Sequence, residues 1–261
     1  MRRCLTLLLI LLVAACCRES TGRGMVDKPL LKSIQVLAAY PHDPDAFTQG
    51  LLLHKGLLYE STGLYGASEL RKIETQTGVV LQRRILPSEY FGEGLAIADH
   101  RLVQLTWREE TAFIYDADSL EPLGRFTYEG EGWGLCCDGE FFYRSDGSDR
   151  LFIHDPHTFD VLDVRRVTCE GEPVEGLNEL ECVGASIYAN IYTTNHIVRI
   201  NKQNGRVTTI IDAGKLIPAR EHFPLPPDGV LNGIAHDPPD DAWYLTGKLW
   251  PRLFRVRFTD P

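Results

Sequence analysis

The chain has 261 residues, 44% of them apolar and 24% charged, with a formal net charge of −9. That is too long for a disulfide-stapled miniprotein and too apolar for a disordered tail. The acidity argues against a nucleic-acid partner, because phosphate needs a basic face.

The first predicted element is not part of the fold. Met1-Arg2-Arg3 is a short basic start, and Leu5 to Ala15 is an apolar run ending in small residues. The run is too short to span a bilayer, so residues 1–16 read as an export signal. Val13-Ala14-Ala15-Cys16 resembles a bacterial lipobox, which would leave Cys16 lipidated at a new N-terminus. Simple cleavage and secretion is the alternative. Either route leads to an oxidising compartment: the periplasm, the cell envelope or the medium. Losing the signal removes two Arg and no acid, which takes the formal charge to −11. Residues 17–32 read as a tether, and residues 33–261 as one domain.

The rest of the chain repeats. One anchor recurs as Phe47-Thr-Gln-Gly50-Leu51, Phe91-Gly-Glu-Gly94-Leu95, Glu131-Gly-Trp-Gly134-Leu135, Leu177-Asn-Glu179-Leu180 and Leu231-Asn-Gly233-Ile234. The spacings from position 50 onward are 44, 40, 45 and 54 residues, and the longest holds a Pro-rich insertion. After each anchor an apolar run leads to a turn signal such as Lys55-Gly56 or Asp138-Gly139. Second runs follow at 57–60, 102–106, 141–143, 187–190 and 243–246. Third runs alternate at 69–73, 112–115, 150–153, 197–200 and 253–258. A fourth strand follows turns such as Thr77-Gly78 and Asn204-Gly205. Four strands per repeat at this spacing is the arithmetic of an all-β, five-bladed β-propeller. The fifth repeat runs out after its third strand. Ser33 to Tyr40 alternates like a strand and is predicted to supply the fourth, closing the ring.

Four cysteines lie in the repeats: Cys136, Cys137, Cys169 and Cys182. Cys136 and Cys137 point to opposite faces of a strand and do not suit each other. Cys169–Cys182 would close a short loop, with free thiols as the alternative. No CxxC pair supports zinc.

Blade topology places the anchor entries and the ends of the second strands on one face. The entries bring Phe47, Gln49, Glu93, Trp133, Asn178 and Asn232. The second-strand ends bring Glu60, Trp107, Tyr192, Asn195, Lys248 and Trp250. Aromatic walls with a few polar groups describe a small-molecule pocket. Taken singly, each has a plainer explanation in packing, capping or surface pairing. Their convergence on one face favours function. Gly130-Glu-Gly-Trp-Gly134 opens no helix that could hold a phosphate. The histidines lack metal-ligand spacing.

Longer motifs carry a resemblance. Phe47-Thr-Gln-Gly-Leu51, Glu60-Ser-Thr-Gly-Leu-Tyr-Gly66, Tyr90-Phe-Gly-Glu-Gly-Leu95, Leu177-Asn-Glu-Leu-Glu181, Val230-Leu-Asn-Gly-Ile-Ala235 and Thr246-Gly-Lys-Leu-Trp-Pro251 are similar to the plant-type glutaminyl cyclase family, which also occurs in bacteria. The resemblance runs from about Pro41 to Phe258. It implies a five-bladed propeller that converts N-terminal glutamine of peptides or proteins into pyroglutamate and ammonia. By match of motif, Glu93 is the acid/base, with Lys248 and Asn178 beside it in the chemistry. Phe47, Gln49, Trp107, Trp133 and Tyr192 are the substrate-binding residues. Tyr192 departs from the family, because plant members carry Trp there; this bears on pocket size and on the residue after the glutamine. The resemblance implies no metal or other cofactor for the chemistry, and leaves room for a structural cation in the channel. Apart from the resemblance, the chain is expected to be a monomer, and the lipobox-like ending to be its one link to a membrane, through a lipid on Cys16. A non-catalytic propeller that binds peptides or an envelope partner is the rival reading.

Overall fold

Alternating apolar and polar residues become strands almost everywhere the repeat predicts them. The computed structural model describes residues 28–216 and 225–261. The expected signal at 1–16 with Cys16, most of the tether and part of the Pro-rich insertion lie outside those residues.

The first unit is an antiparallel meander of Thr48–His54, Leu57–Thr62, Glu69–Glu74 and Val80–Ile85. The second consists of Gly92–Ala98, Arg101–Thr106, Thr111–Asp116 and Pro122–Thr127. The third consists of Leu135–Cys137, Phe142–Ser145, Arg150–His154 and Val161–Arg166. The fourth consists of Leu177–Val183, Ser186–Ile191, His196–Asn201 and Val207–Asp212. The fifth consists of Leu231–Asp237, Ala242–Gly247 and Arg252–Thr259, with Leu30–Pro41 as its outer strand. A small hairpin, Thr168–Cys169 with Glu172–Pro173, sits between the third and fourth units. Among the described residues the fold is all-β apart from two short 3-10 turns, and no helix there is long and apolar enough to cross a membrane.

The N-terminal strand is longer than the sequence suggested. Residues 30–32, assigned to the tether, pair in parallel with Thr209, Ile210 and Ile211 of the fourth unit. Ser33 to Pro41 then pair antiparallel with Thr259 to Arg252, across a bulge between Val36 and Ala38. The reason is the open edge of Val207–Asp212, whose main-chain groups need partners that an alternating pattern does not reveal. One strand therefore joins the fourth and fifth units into a single eight-stranded sheet.

Apolar clusters form between units rather than within them. Leu52 and Tyr59 of the first unit pack with Leu95 and Leu102 of the second. Val103 and Leu105 of the second pack with Leu135 and Phe142 of the third. Tyr143 and Leu151 meet Leu180 and Ile187. Ile197 and Ile211 meet Leu231 and Trp243. Ala235 and Tyr244 of the fifth unit meet Leu51 and Leu58 of the first. Each unit thus buries its faces only with both neighbours present.

The first strands lie so close that the anchor glycines are obligatory. A Cβ on Gly94 would stand 2.4 Å from Leu135 N, and one on Gly134 would stand 1.9 Å from Asn178 O. At the same repeat position the fourth unit carries Glu179, fully buried, whose two oxygens accept the backbone amides of Leu51 (3.2 Å) and Ile234 (2.7 Å).

The disulfide corrects a sequence expectation. Cys182 is bonded to Cys136, 46 residues away, while Cys169 and Cys137 have no disulfide partner among the described residues. The expected partner, Cys169, sits on the inserted hairpin. Cys136 and Cys182 instead lie on the adjoining first strands of the third and fourth units.

Candidate active site

The residue before each anchor position recurs once in every unit. In chain order these are Gln49, Glu93, Trp133, Asn178 and Asn232. Four of them line one pocket of about 330 Å³, together with Phe47, Trp107, Tyr192 and Lys248. All eight catalytic and substrate-binding residues expected from the sequence therefore meet there. Asn232 lies just beneath. Its Nδ2 donates to Thr48 O (3.0 Å) and Gln49 Oε1 (3.2 Å).

The polar floor is a chain of buried groups. With its oxygen accepting from Asn232, Gln49 is fixed in one amide orientation, and its Nε2 donates to Glu93 Oε1 at 2.9 Å. Glu93 is 4% exposed. Burial pushes its carboxyl well above the usual range; Lys248 opposes the shift, and the carboxylates of Glu131 and Glu109 add to it. Lys248 is equally buried, and burial brings its ammonium down to about 8, against the pull of Glu93 and Asp228. Its Nζ lies 4.8 Å from the centre of the Phe47 ring and 5.2 Å from that of Tyr192, where two aromatic faces offset part of the lost hydration. Asn178 Oδ1 is buried and accepts no hydrogen bond among the described residues.

The walls are aromatic and pack edge to face. Phe91 contacts Phe47 at 6.0 Å and Trp107 at 5.5 Å between ring centres; Trp133 contacts Tyr192 at 5.5 Å. Each such contact is worth roughly 0.5–1.5 kcal/mol beyond area burial.

Other expected members of the face are structural. Glu60 is buried away from the pocket, accepts from Thr48 Oγ1 at 2.7 Å and pairs with His42 Nε2 at 3.0 Å. His42 Nδ1 reaches Trp250 O at 2.6 Å. This buried ion pair closes the seam between the fifth and first units. Trp250 belongs to the core, its indole donating to Gly229 O at 2.9 Å. Asn195 is absent from the pocket lining.

Sequence reasoning missed Leu64, Phe91 and Asp228 of the lining, and Glu131 behind it. Phe91 was findable, because it stands 44 residues after Phe47, the same step that separates Gly50 from Gly94. Asp228 follows the Pro-rich insertion, which has no counterpart in the other repeats. Among the described residues no group of three or more His, Cys, Asp or Glu is arranged to hold a metal. A second, larger depression of about 690 Å³ beside Arg144 and Phe152 holds no comparable pair. Its Arg144 is already engaged by Glu131 O, Glu129 O and His154.

A pocket pairing a buried carboxyl with a buried amine suits proton transfer beside a polarised carbonyl. Comparison with known proteins agrees in kind. A family model described as glutamine cyclotransferase matches residues 7–258. A glutaminyl-peptide cyclotransferase from Arabidopsis thaliana is 39% identical over 241 residues, covering 92% of this chain and 75% of that protein. The crystal structure of a glutaminyl cyclase from Myxococcus xanthus superposes with a TM-score of 0.84 at 38% identity, covering 89% of this chain and 99% of the other.

Proposed function

The chain belongs to the glutamine cyclotransferase family, and we propose that it closes the N-terminal glutamine of peptides into pyroglutamate with release of ammonia. The observation that carries this reading is Glu93, buried among aromatic walls, held by Gln49 and flanked by Lys248.

The substrate contains both reactants. Its α-amine attacks its own γ-carboxamide carbon, a C–N bond forms, and the bond to the amide nitrogen breaks. The amine must be neutral, which a reference pKa of about 7.7–8.0 allows near neutral pH. Glu93 takes a proton from the attacking nitrogen and returns it to the departing one, so no net proton is consumed. A pKa raised by burial brings the carboxyl nearer to both nitrogens and suits it to either direction of transfer. Lys248, when protonated, donates to the γ-carbonyl oxygen as negative charge develops there. Asn178 Oδ1, an acceptor without a partner among the described residues, takes an N–H of the α-amine and aims its lone pair. Gln49 orients Glu93. Phe47, Trp107, Trp133 and Tyr192 hold the glutamine side chain folded, which turns a flexible chain into a near-attack geometry.

We read the five units as the blades of a five-bladed propeller closed by the N-terminal strand; the shared clusters between each unit and the next, and between the fifth and the first, support this. The mechanism needs no metal or other cofactor. Residues 1–16 are proposed to direct export, with Cys16 as a lipid attachment point, on the strength of the apolar run and lipobox-like ending.

The test is ammonia release from a Gln-initiated dipeptide, with and without chelator. Release insensitive to chelator is expected. Peptide binding without release would replace the enzyme reading by a binding module.

A further inference from the structure

Two pocket walls end in indole N–H groups, and both donate to the same oxygen atom. Trp107 Nε1 reaches Glu131 Oε2 at 2.8 Å, and Trp133 Nε1 reaches it at 2.9 Å. The other oxygen, Oε1, accepts from Arg108 Nε at 3.1 Å. The Arg108 guanidinium lies over the Trp107 ring, 3.7 Å from its centre. Arg144, buried, donates to the backbone carbonyl of Glu131 and so pins its main chain. Although burial pushes the Glu131 carboxyl up, the bonds from Trp133, Trp107 and Arg108 prevail and hold it below the usual range.

Trp107 follows the second strand of the second unit, and Trp133 enters the third. Glu131 therefore ties two walls across a unit boundary. Edge-to-face neighbours constrain the tilt of each indole but supply no acceptor for its N–H, and a partly buried indole N–H needs one. A carboxylate oxygen has two lone pairs, enough for both donors. Bonds to a charged acceptor are also the stronger kind.

We propose that Glu131 is a positioning residue for the cyclisation: its carboxylate sets the separation of Trp107 and Trp133, and so the gap in which the folded glutamine side chain is held. The substrate's identity rests on the cyclotransferase reading; the clamp does not. Glu131 itself touches no reacting atom in this account.

Glutamine and alanine separate clamp from charge. In Glu131→Gln the amide oxygen can replace Oε2 and accept both indoles, while the negative charge and the bond from Arg108 are lost, because an amide nitrogen does not accept. Glu131→Ala removes the acceptor altogether. Two readouts apply: kcat and KM on a Gln-initiated dipeptide, and the ¹⁵N–¹H signals of the four tryptophan indoles. In Glu131→Ala the Trp107 and Trp133 signals should move while those of Trp243 and Trp250 stay, and kcat/KM should fall by about 10- to 100-fold, the scale of a misplaced wall. Glu131→Gln should keep the two signals and recover most of kcat/KM. Unmoved signals in the alanine variant would overturn the clamp. A glutamine variant as impaired as the alanine one would overturn it too, by making charge rather than position the cause. If Glu131→Ala shifts all four signals, Trp133→Phe and Trp107→Phe take its place. Each removes one donor and keeps a ring, and an unchanged kcat/KM in both would overturn the proposal. Wild type that releases no ammonia, yet shows the expected indole response, would leave the clamp standing and sink the cyclotransferase reading.

Discussion

Two buried carboxyls of similar protonation behaviour sit in different surroundings. Glu93 and Glu179 both lie on or beside the anchor position, and burial raises both well above the usual range. Glu179 spends its two oxygens on the backbone amides of Leu51 and Ile234, from the first and fifth units. Glu93 accepts from one side chain, Gln49, and fronts the pocket. Burial alone therefore does not mark a catalytic acid. What separates the two is whether the remaining polar capacity is consumed by main chain or left facing a cavity.

The sharpest way to break this comparison is Glu93→Gln. Turnover should fall by about 10²–10⁴-fold, the usual share of a general acid/base, with the melting temperature little changed. An active variant would place Glu93 with Glu179 among structural groups. Next comes Lys248→Ala, which should cost about 10²-fold in kcat and less in KM, measured in the same ammonia assay. On the structural side, Glu179→Ala orphans two buried amide donors. Urea unfolding should show a loss of about 1–3 kcal/mol for each.

The neighbour Glu181 gives a pH signature. Burial raises its carboxyl to about 8, against bonds from the amides of His236 and Cys182 and the charge of Lys202. A carboxyl raised on folding stabilises fully below its unfolded value near 4.5 and loses that contribution as pH climbs through about 8. Melting temperature should therefore decline from pH 5 to pH 9, and Glu181→Gln should flatten that part of the slope. The smallest effect is expected for Tyr192→Phe. It keeps the ring against Trp133 and Lys248, and KM should move by no more than about twofold, within about 0.5 kcal/mol.

The repeat made most of the pocket legible. Gln49, Glu93, Trp133 and Asn178 occupy one position of the anchor, so counting from Gly50, Gly94, Gly134 and Glu179 finds them. What the pattern could not carry were partnerships between units. Spacing offered Cys169–Cys182 or free thiols, but Cys182 meets Cys136 because neighbouring first strands adjoin. Glu60 shared the right strand end and still turned away, drawn into an ion pair with His42 from the entering chain. Glu131 opens the third anchor, but its role depends on where two indole N–H groups end up, which no linear spacing encodes.

The register of the N-terminal strand fixes an orientation. Pro41 pairs with Arg252, next to the turn that carries Lys248, whereas Ser33 pairs with Thr259 at the other end. Eight residues of extended chain, roughly 25 Å, separate the two ends. Both ends of the described chain therefore leave from the side remote from the pocket mouth. A bead, a surface or a fusion partner joined directly at Leu30 or Thr259 would lie on the face opposite the opening, where a peptide terminus can approach from free solution.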